Sequence, residues 1–172
     1  MRGTVREATV ADAAAVARVH LASWRSAYRG LVPDAFLDSL YLGERTARWR
    51  EQLTHRPLGQ VTHVAEVGGE IVGFAAGGAC RDEDAGAGVG ELYAIYVAPG
   101  SWRQGVGGLL QAASLDSLRE REFVEVRLWV LEGNAAARAF YEHSGWAADG
   151  ATDEHPFGAQ GLPIVRYRRP LT

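Results

Sequence analysis

Between Glu91 and Leu110 the chain reads Glu-Leu-Tyr-Ala-Ile-Tyr-Val-Ala-Pro-Gly-Ser-Trp-Arg-Gln-Gly-Val-Gly-Gly-Leu-Leu. An apolar, β-branched and aromatic run from Leu92 to Val97 stops at Pro99-Gly100, turns through glycines and enters an amphipathic helix. A helix that starts this way aims N–H groups without intrahelical partners, and the positive end of its dipole, at one point. Phosphate is the group such a point holds best. The turn lacks the Gly-Lys-Ser/Thr ending of a nucleotide P-loop, and all 18 basic residues are arginine, which closes that reading. The glycine spacing also departs from the dinucleotide fingerprint. The five histidines and the single cysteine, Cys80, show no metal-ligand spacing, so no metal is expected.

The elements that must position this turn are legible on both sides of it. Residues 4–8 read as a short opening strand. Residues 10–28 form a helix with Thr9 or Asp12 as its cap, broken by Gly30 and Pro33. Residues 34–42 and 44–53 read as two more short helices. Val61–Val67 and Glu70–Ala76 flank Gly68-Gly69, a hairpin signal. A polar, glycine-rich loop at 80–90 leads into the strand at 91–98. The helix from about Gly105 places Val106, Leu109, Leu110, Ala113 and Leu118 on one face.

Phe123–Leu131 is the next strand, made parallel to 91–98 by right-handed crossover. Asn134–His143 is a short helix ended by Gly145. Residues 146–149 and 162–169 read as a closing antiparallel pair around a loose loop containing Pro156. The order gives a mixed α/β sheet flanked by helices in one domain, residues 3–170.

Bulk properties narrow the function class. A length of 172 residues suffices for a single core, and 47% hydrophobic with 23% charged residues are globular values. No stretch reaches transmembrane length, and the first residues lack the apolar run of a signal peptide, so a cytoplasmic protein without membrane association is expected. A net charge of −3 argues against a dedicated nucleic-acid binder. The absence of lysine leaves the N-terminus as the one aliphatic amine in the chain.

About thirty residues after the glycine turn, a strand at Leu128–Leu131 runs into a helix capped by Asn134. It carries Phe140-Tyr141 two turns later and exits at Gly145-Trp146. Together with Val97-x-Pro99 and Gly105-x-Gly107, this stretch closely resembles the GCN5-related N-acetyltransferase (GNAT) superfamily, in its bacterial members of unassigned substrate. The resemblance runs over roughly residues 3–170. It implies a mixed sheet of about seven strands whose parallel pair, 91–98 and 124–131, splays apart to admit the pantetheine arm of acetyl-CoA. The backbone of Ile95, Tyr96 and Val97 would bind that arm. The turn Trp102, Arg103, Gln104, Gly105, Val106, Gly107 and Gly108 would bind the pyrophosphate. Trp102 departs from the family pattern, which usually carries Gln or Arg at that position.

The resemblance also implies roles at the reactive end. Asn134, beside its N-cap role, would contact the pantetheine. Tyr141 lies seven residues further on the same helical face, about 10 Å along the axis. That places its hydroxyl near the sulfur, as proton donor to the leaving thiolate. Glu91 stands where family members often keep a general base acting through water. His20, Trp24 and Tyr28, at i, i+4 and i+8 on the first helix, would shape the acceptor pocket. The expectation is an N-acetyltransferase moving acetyl from acetyl-CoA to a primary amine by direct attack, the acceptor being a small molecule or a peptide N-terminus. An acyl-CoA-binding sensor without transferase activity is the alternative. Exposed strand edges of this fold are of the kind that pair into homodimers.

Overall fold

The computed structural model describes residues 3–171. Element order is β1 (Thr4–Glu7), a 3-10 turn, α1 (Ala13–Ala27), α2 (Asp34–Asp38), α3 (Leu42–Thr54), β2 (Val61–Val67), β3 (Glu70–Ala79) and β4 (Val89–Val97). After a second 3-10 turn come α4 (Val106–Glu120), β5 (Glu125–Leu131), α5 (Ala135–His143), β6 (Ala147–Phe157) and β7 (Gln160–Pro170). The strands form one seven-stranded sheet in the order β1-β2-β3-β4-β5-β7-β6. Every neighbour pair is antiparallel except β4–β5, which α4 connects as the crossover a parallel pair requires.

Helices cover the sheet on both faces. Leu110, Leu115 and Leu118 of α4 and Tyr141 of α5 pack on Val126, Leu128 and Tyr167. Val16, Ala17 and Val19 of α1 and Trp49 and Leu53 of α3 pack on Val64 and Phe74. Residues along β4 divide between these two cores. Leu92, Ile95 and Val97 join the α4 side, while Ala94 and Tyr96 join the α1 side. The break in strict alternation is a bulge: Ala94 pairs with Ala76 but Leu92 with Gly77, which leaves Tyr93 as the extra residue. Gly77 is required there, since a Cβ would lie 2.8 Å from the Glu91 carbonyl oxygen.

Two expectations are corrected. The helix read over 34–42 ends at Asp38, where the Ser39 hydroxyl turns back to donate to the Phe36 carbonyl at 2.7 Å. The loose loop around Pro156 is instead continuous strand, closed by a hairpin at Gly158-Ala159. Pro156 is tolerated because β6 is an edge strand, where a missing N–H leaves no ladder bond unmade.

Candidate active site

The glycine turn carries the free N–H groups that an anion cradle would need. The first i→i−4 bond of α4 runs from the Leu109 N–H to the Gly105 carbonyl, so the N–H groups of Val106, Gly107 and Gly108 have no helical acceptor. Arg103 at φ 61° and Gly105 at φ 82° are both left-handed, which turns successive amides inward as a nest. Gly107 is packed, its would-be Cβ lying 3.4 Å from the Phe140 ring. Gly105 and Gly108 face open space. The fold gives no packing reason for glycine at 108; close approach of a ligand does. Val106 anchors the turn in the core, and Gln104 braces it through its amide N–H to the Gly100 carbonyl at 2.9 Å. The exposed Arg103 side chain has no acceptor among the described residues and is available to a phosphate.

Next to the cradle the parallel pair opens. β4 and β5 are paired only at Val89–Glu91 with Glu125–Arg127, and beyond that they separate. Ala98 donates to the Val72 carbonyl, so the alternation commits the backbone of Tyr96 to Phe74 and turns Ile95 and Val97 towards the gap. On the far side Glu132 donates to the Pro163 carbonyl, which by the same alternation turns Trp129 and Leu131 towards it. Ile95 and the Val97 N–H therefore present the free edge that an extended amide-bearing arm would need. Tyr96 contributes its side chain to the site rather than its backbone. The Val97 carbonyl already accepts from Ser23 Oγ at 2.9 Å and from Trp102 Nε1 at 2.6 Å. Trp102 thus braces the end of β4 with its indole.

At the reactive end, Asn134 caps α5, its Oδ1 accepting from the Ala137 N–H at 3.1 Å. The cap uses the carbonyl oxygen and leaves the Nδ2 donors for a ligand, so the two roles are separable. An Asn134→Asp substitution keeps the cap and removes the donor. Its expected result is stability within about 0.5 kcal/mol of wild type and acetyl-CoA binding weakened by about tenfold, read by urea unfolding and calorimetry.

Tyr141 is buried between Phe140, Trp146 and Tyr167. Its hydroxyl has no hydrogen-bond partner among the described residues. Burial, with a smaller contribution from Tyr96, pushes its phenol well above 10, so the proton stays on the oxygen. The Tyr28 and Tyr96 hydroxyls lie 3.2 Å apart.

The first-helix residues gather round Tyr96. His20 stacks on Tyr96 with ring centroids 5.1 Å apart and meets Trp24 edge-on at 5.2 Å. Trp24 and Tyr28 in turn meet Phe157 from the β6–β7 hairpin. His20 Nδ1 accepts from Trp49 Nε1 at 3.1 Å, which fixes its proton on Nε2. Sequence reading found the α1 stripe and named Tyr96 for its backbone, but missed Trp49, Arg45 and Phe157. Their own segments carry no signal for it, because contact across α1, α3 and two hairpins is a tertiary property.

Glu91 is 3% exposed, and Arg81 donates to both of its oxygens at 2.6 and 3.1 Å. Asp82 and Asp84 strap the 80–88 segment to Arg166 and Arg127. Burial pushes the Cys80 thiol up to about 11, which keeps it protonated at neutral pH. No group of three His, Cys, Asp or Glu side chains suited to a metal occurs among the described residues. None of the helices described is long and apolar enough to cross a membrane.

A family model described as the acetyltransferase (GNAT) family matches residues 21–146. An uncharacterised N-acetyltransferase of Bacillus subtilis, YuaI, is 37% identical over 81% of this chain and 77% of its own length. The probable N-acetyltransferase Rv2775 of Mycobacterium tuberculosis is 30% identical over 95% and 91%. Among solved structures, the PaiA N-acetyltransferase of Thermoplasma acidophilum in complex with coenzyme A superposes with a TM-score of 0.78 at 17% identity, covering 99% of both chains. YncA of Salmonella typhimurium, solved with its cofactor acetyl-CoA, does so at 0.73 and 22%, over 100% and 95%. Relatives, family match and the cradle beside a splayed parallel pair agree, and the chain belongs to the GNAT family of N-acetyltransferases, whose acyl donor is acetyl-CoA.

Proposed function

We propose that the protein transfers acetyl to a primary amine by direct attack in a ternary complex. The observation that supports this reading is that three parts adjoin, Gly107 of the turn lying against Val97 and Phe140, and Phe140 against Tyr141. These are the amide cradle at Gly105–Gly108, the open β4 edge at Ile95 and Val97, and the protonated Tyr141 hydroxyl. Bound acetyl-CoA supplies an acetyl group already activated as a thioester. Ile95 and Val97 hold the arm in register by main-chain hydrogen bonds, and the α4 amides with Arg103 fix its phosphate end. Tyr141 holds a proton at its hydroxyl for the sulfur that departs. Cys80, kept as a neutral thiol by burial, lacks the thiolate an acyl-enzyme route would need.

An ammonium must lose its proton before it attacks, and Glu91 is the acceptor in this reading, reached through water. Arg81 must then turn away from at least one carboxylate oxygen. Its side chain is 66% exposed and can swing into solvent, but the Glu91 carboxylate it leaves is buried, so its release costs free energy that water or the bound ammonium must offset. Glu91→Gln is expected to abolish the acidic limb of the kcat/KM pH profile. A profile matching wild type leaves Glu91 only as the anchor of Arg81 and the loop behind it.

The overall reading is tested by release of free thiol from acetyl-CoA against a panel of primary amines. Amine-dependent release supports it. Tight coenzyme A binding with no release on any amine overturns it in favour of an acyl-CoA sensor.

A further inference from the structure

The last carbonyl of β4 takes two side-chain donors. Val97 O accepts from Ser23 Oγ of α1 at 2.9 Å and from Trp102 Nε1 at 2.6 Å. A carbonyl has two lone pairs, so both are used. The N–H and C=O of one strand residue point to the same side, so this carbonyl faces the gap between β4 and β5 as the Val97 N–H does. At Val97 the edge therefore offers a donor and no acceptor. The indole that reaches the carbonyl stands at the end of the open edge, where the chain leaves β4 for the glycine turn.

The turn beyond it has few other ties. No backbone N–H of residues 103–105 meets a backbone acceptor among the described residues. Arg103 is left-handed without being glycine, a conformation that persists only where its surroundings impose it. Two side chains do so. Gln104 ties the turn to itself, at the Gly100 carbonyl, and Trp102 ties it to the strand. Trp102 is 43% exposed and belongs to none of the three apolar cores. A large aromatic residue kept at the surface by one short polar bond is there for that bond, since packing does not account for it.

We infer that Trp102 is a positioning residue for the acyl donor: its indole sets the spacing between the β4 edge and the glycine turn. Coenzyme A is a nucleotide diphosphate joined to an amide-bearing arm, and it must engage edge and turn at once. Two subsites bridged by one ligand reinforce each other only when their spacing matches that ligand. Without the indole bond each subsite can still take its own half of the molecule, and the advantage of binding the whole is lost. The inference rests on the assignment of arm and pyrophosphate to these two subsites under the proposed function. It does not require turnover.

The test is Trp102→Phe, which keeps an aromatic ring and removes the N–H. Because Trp102 lies outside the cores, the variant is expected to keep the wild-type urea midpoint. Calorimetry compares coenzyme A with its nucleotide half, 3′-phosphorylated ADP. Coenzyme A binding is expected to weaken by about fivefold or more, and binding of the nucleotide half to change by less than about twofold. KM for acetyl-CoA should rise in proportion while kcat stays within about twofold, and the kcat/KM preference for acetyl-CoA over acetylpantetheine should shrink. Equal weakening of coenzyme A and its nucleotide half overturns the inference and makes the indole part of the phosphate site alone. Equal losses with acetyl-CoA and acetylpantetheine overturn it in favour of a local prop for β4, and an unchanged coenzyme A affinity overturns it outright. Selective weakening of coenzyme A, with no turnover on any amine in the wild type, keeps the inference and overturns the transferase.

Discussion

Tyr141→Phe is expected to lower kcat by about a hundredfold or more, the scale of a lost general acid, while acetyl-CoA affinity stays within about twofold. The substitution removes one oxygen from a ring otherwise held by Phe140, Trp146 and Tyr167. Since that oxygen has no partner among the described residues, its loss orphans nothing and should leave stability close to wild type. Affinity is separately assigned, to the α4 amides, Arg103, Asn134 and the β4 edge. The effect therefore belongs to a step after binding, and kcat and kcat/KM should fall together. Burial holds the phenol protonated well above pH 10, so Tyr141 contributes no limb to the pH profile between 6 and 9. The variant should keep the wild-type profile shape at lower amplitude. Unchanged turnover would make Tyr141 a core aromatic and no more.

How far the sequence reaches is clearest at particular residues. The cradle was legible because its parts are local: a strand, a Pro-Gly stop and a helix beginning at glycine occupy twenty consecutive positions. Tyr141 and Asn134 were legible because seven residues on one helix fix their relation without tertiary knowledge. Glu91 was placed correctly on its strand, but the pairing that governs it comes from Arg81, across the loop at the start of β4. Trp102 stood out as a departure from the family pattern; its bond to Val97 needed coordinates because the turn geometry at Arg103 is left-handed. The β6 strand through Pro156 was missed because proline argues against strand unless the strand is known to be an edge. The surroundings of His20 were invisible for a different reason. His20 and Trp24 read as an aromatic stripe, and only the packing of α3 on α1 brings Trp49 and Arg45 against them.

The second large effect is on stability, and it also originates at His20. The imidazole is enclosed by Trp24, Trp49, Phe74 and Tyr96, with Arg45 as the charged group facing it. Burial first, and Arg45 second, lower its pKa from 6.5 to about 3. As the pH falls below 6.5 the unfolded chain takes up a proton at this residue that the folded protein refuses until about pH 3. Stability is therefore complete above pH 6.5 and declines on acidification across that window, by roughly 4 kcal/mol from this group alone. His63, buried against Ser114 and Ser117, is shifted the same way by burial and adds to the slope. Asp12, held at about 2 by Arg6, contributes only once the pH is below 3.8. Urea unfolding at pH 8, 6, 5 and 4 should show this decline, and the His20 Cε1 proton should not titrate by NMR above about pH 4. His20→Phe should flatten much of the slope, while costing about 1–3 kcal/mol at pH 8 because the Trp49 indole N–H loses its acceptor. An imidazole that titrates near 6.5 in the folded protein would mean that water reaches His20 freely.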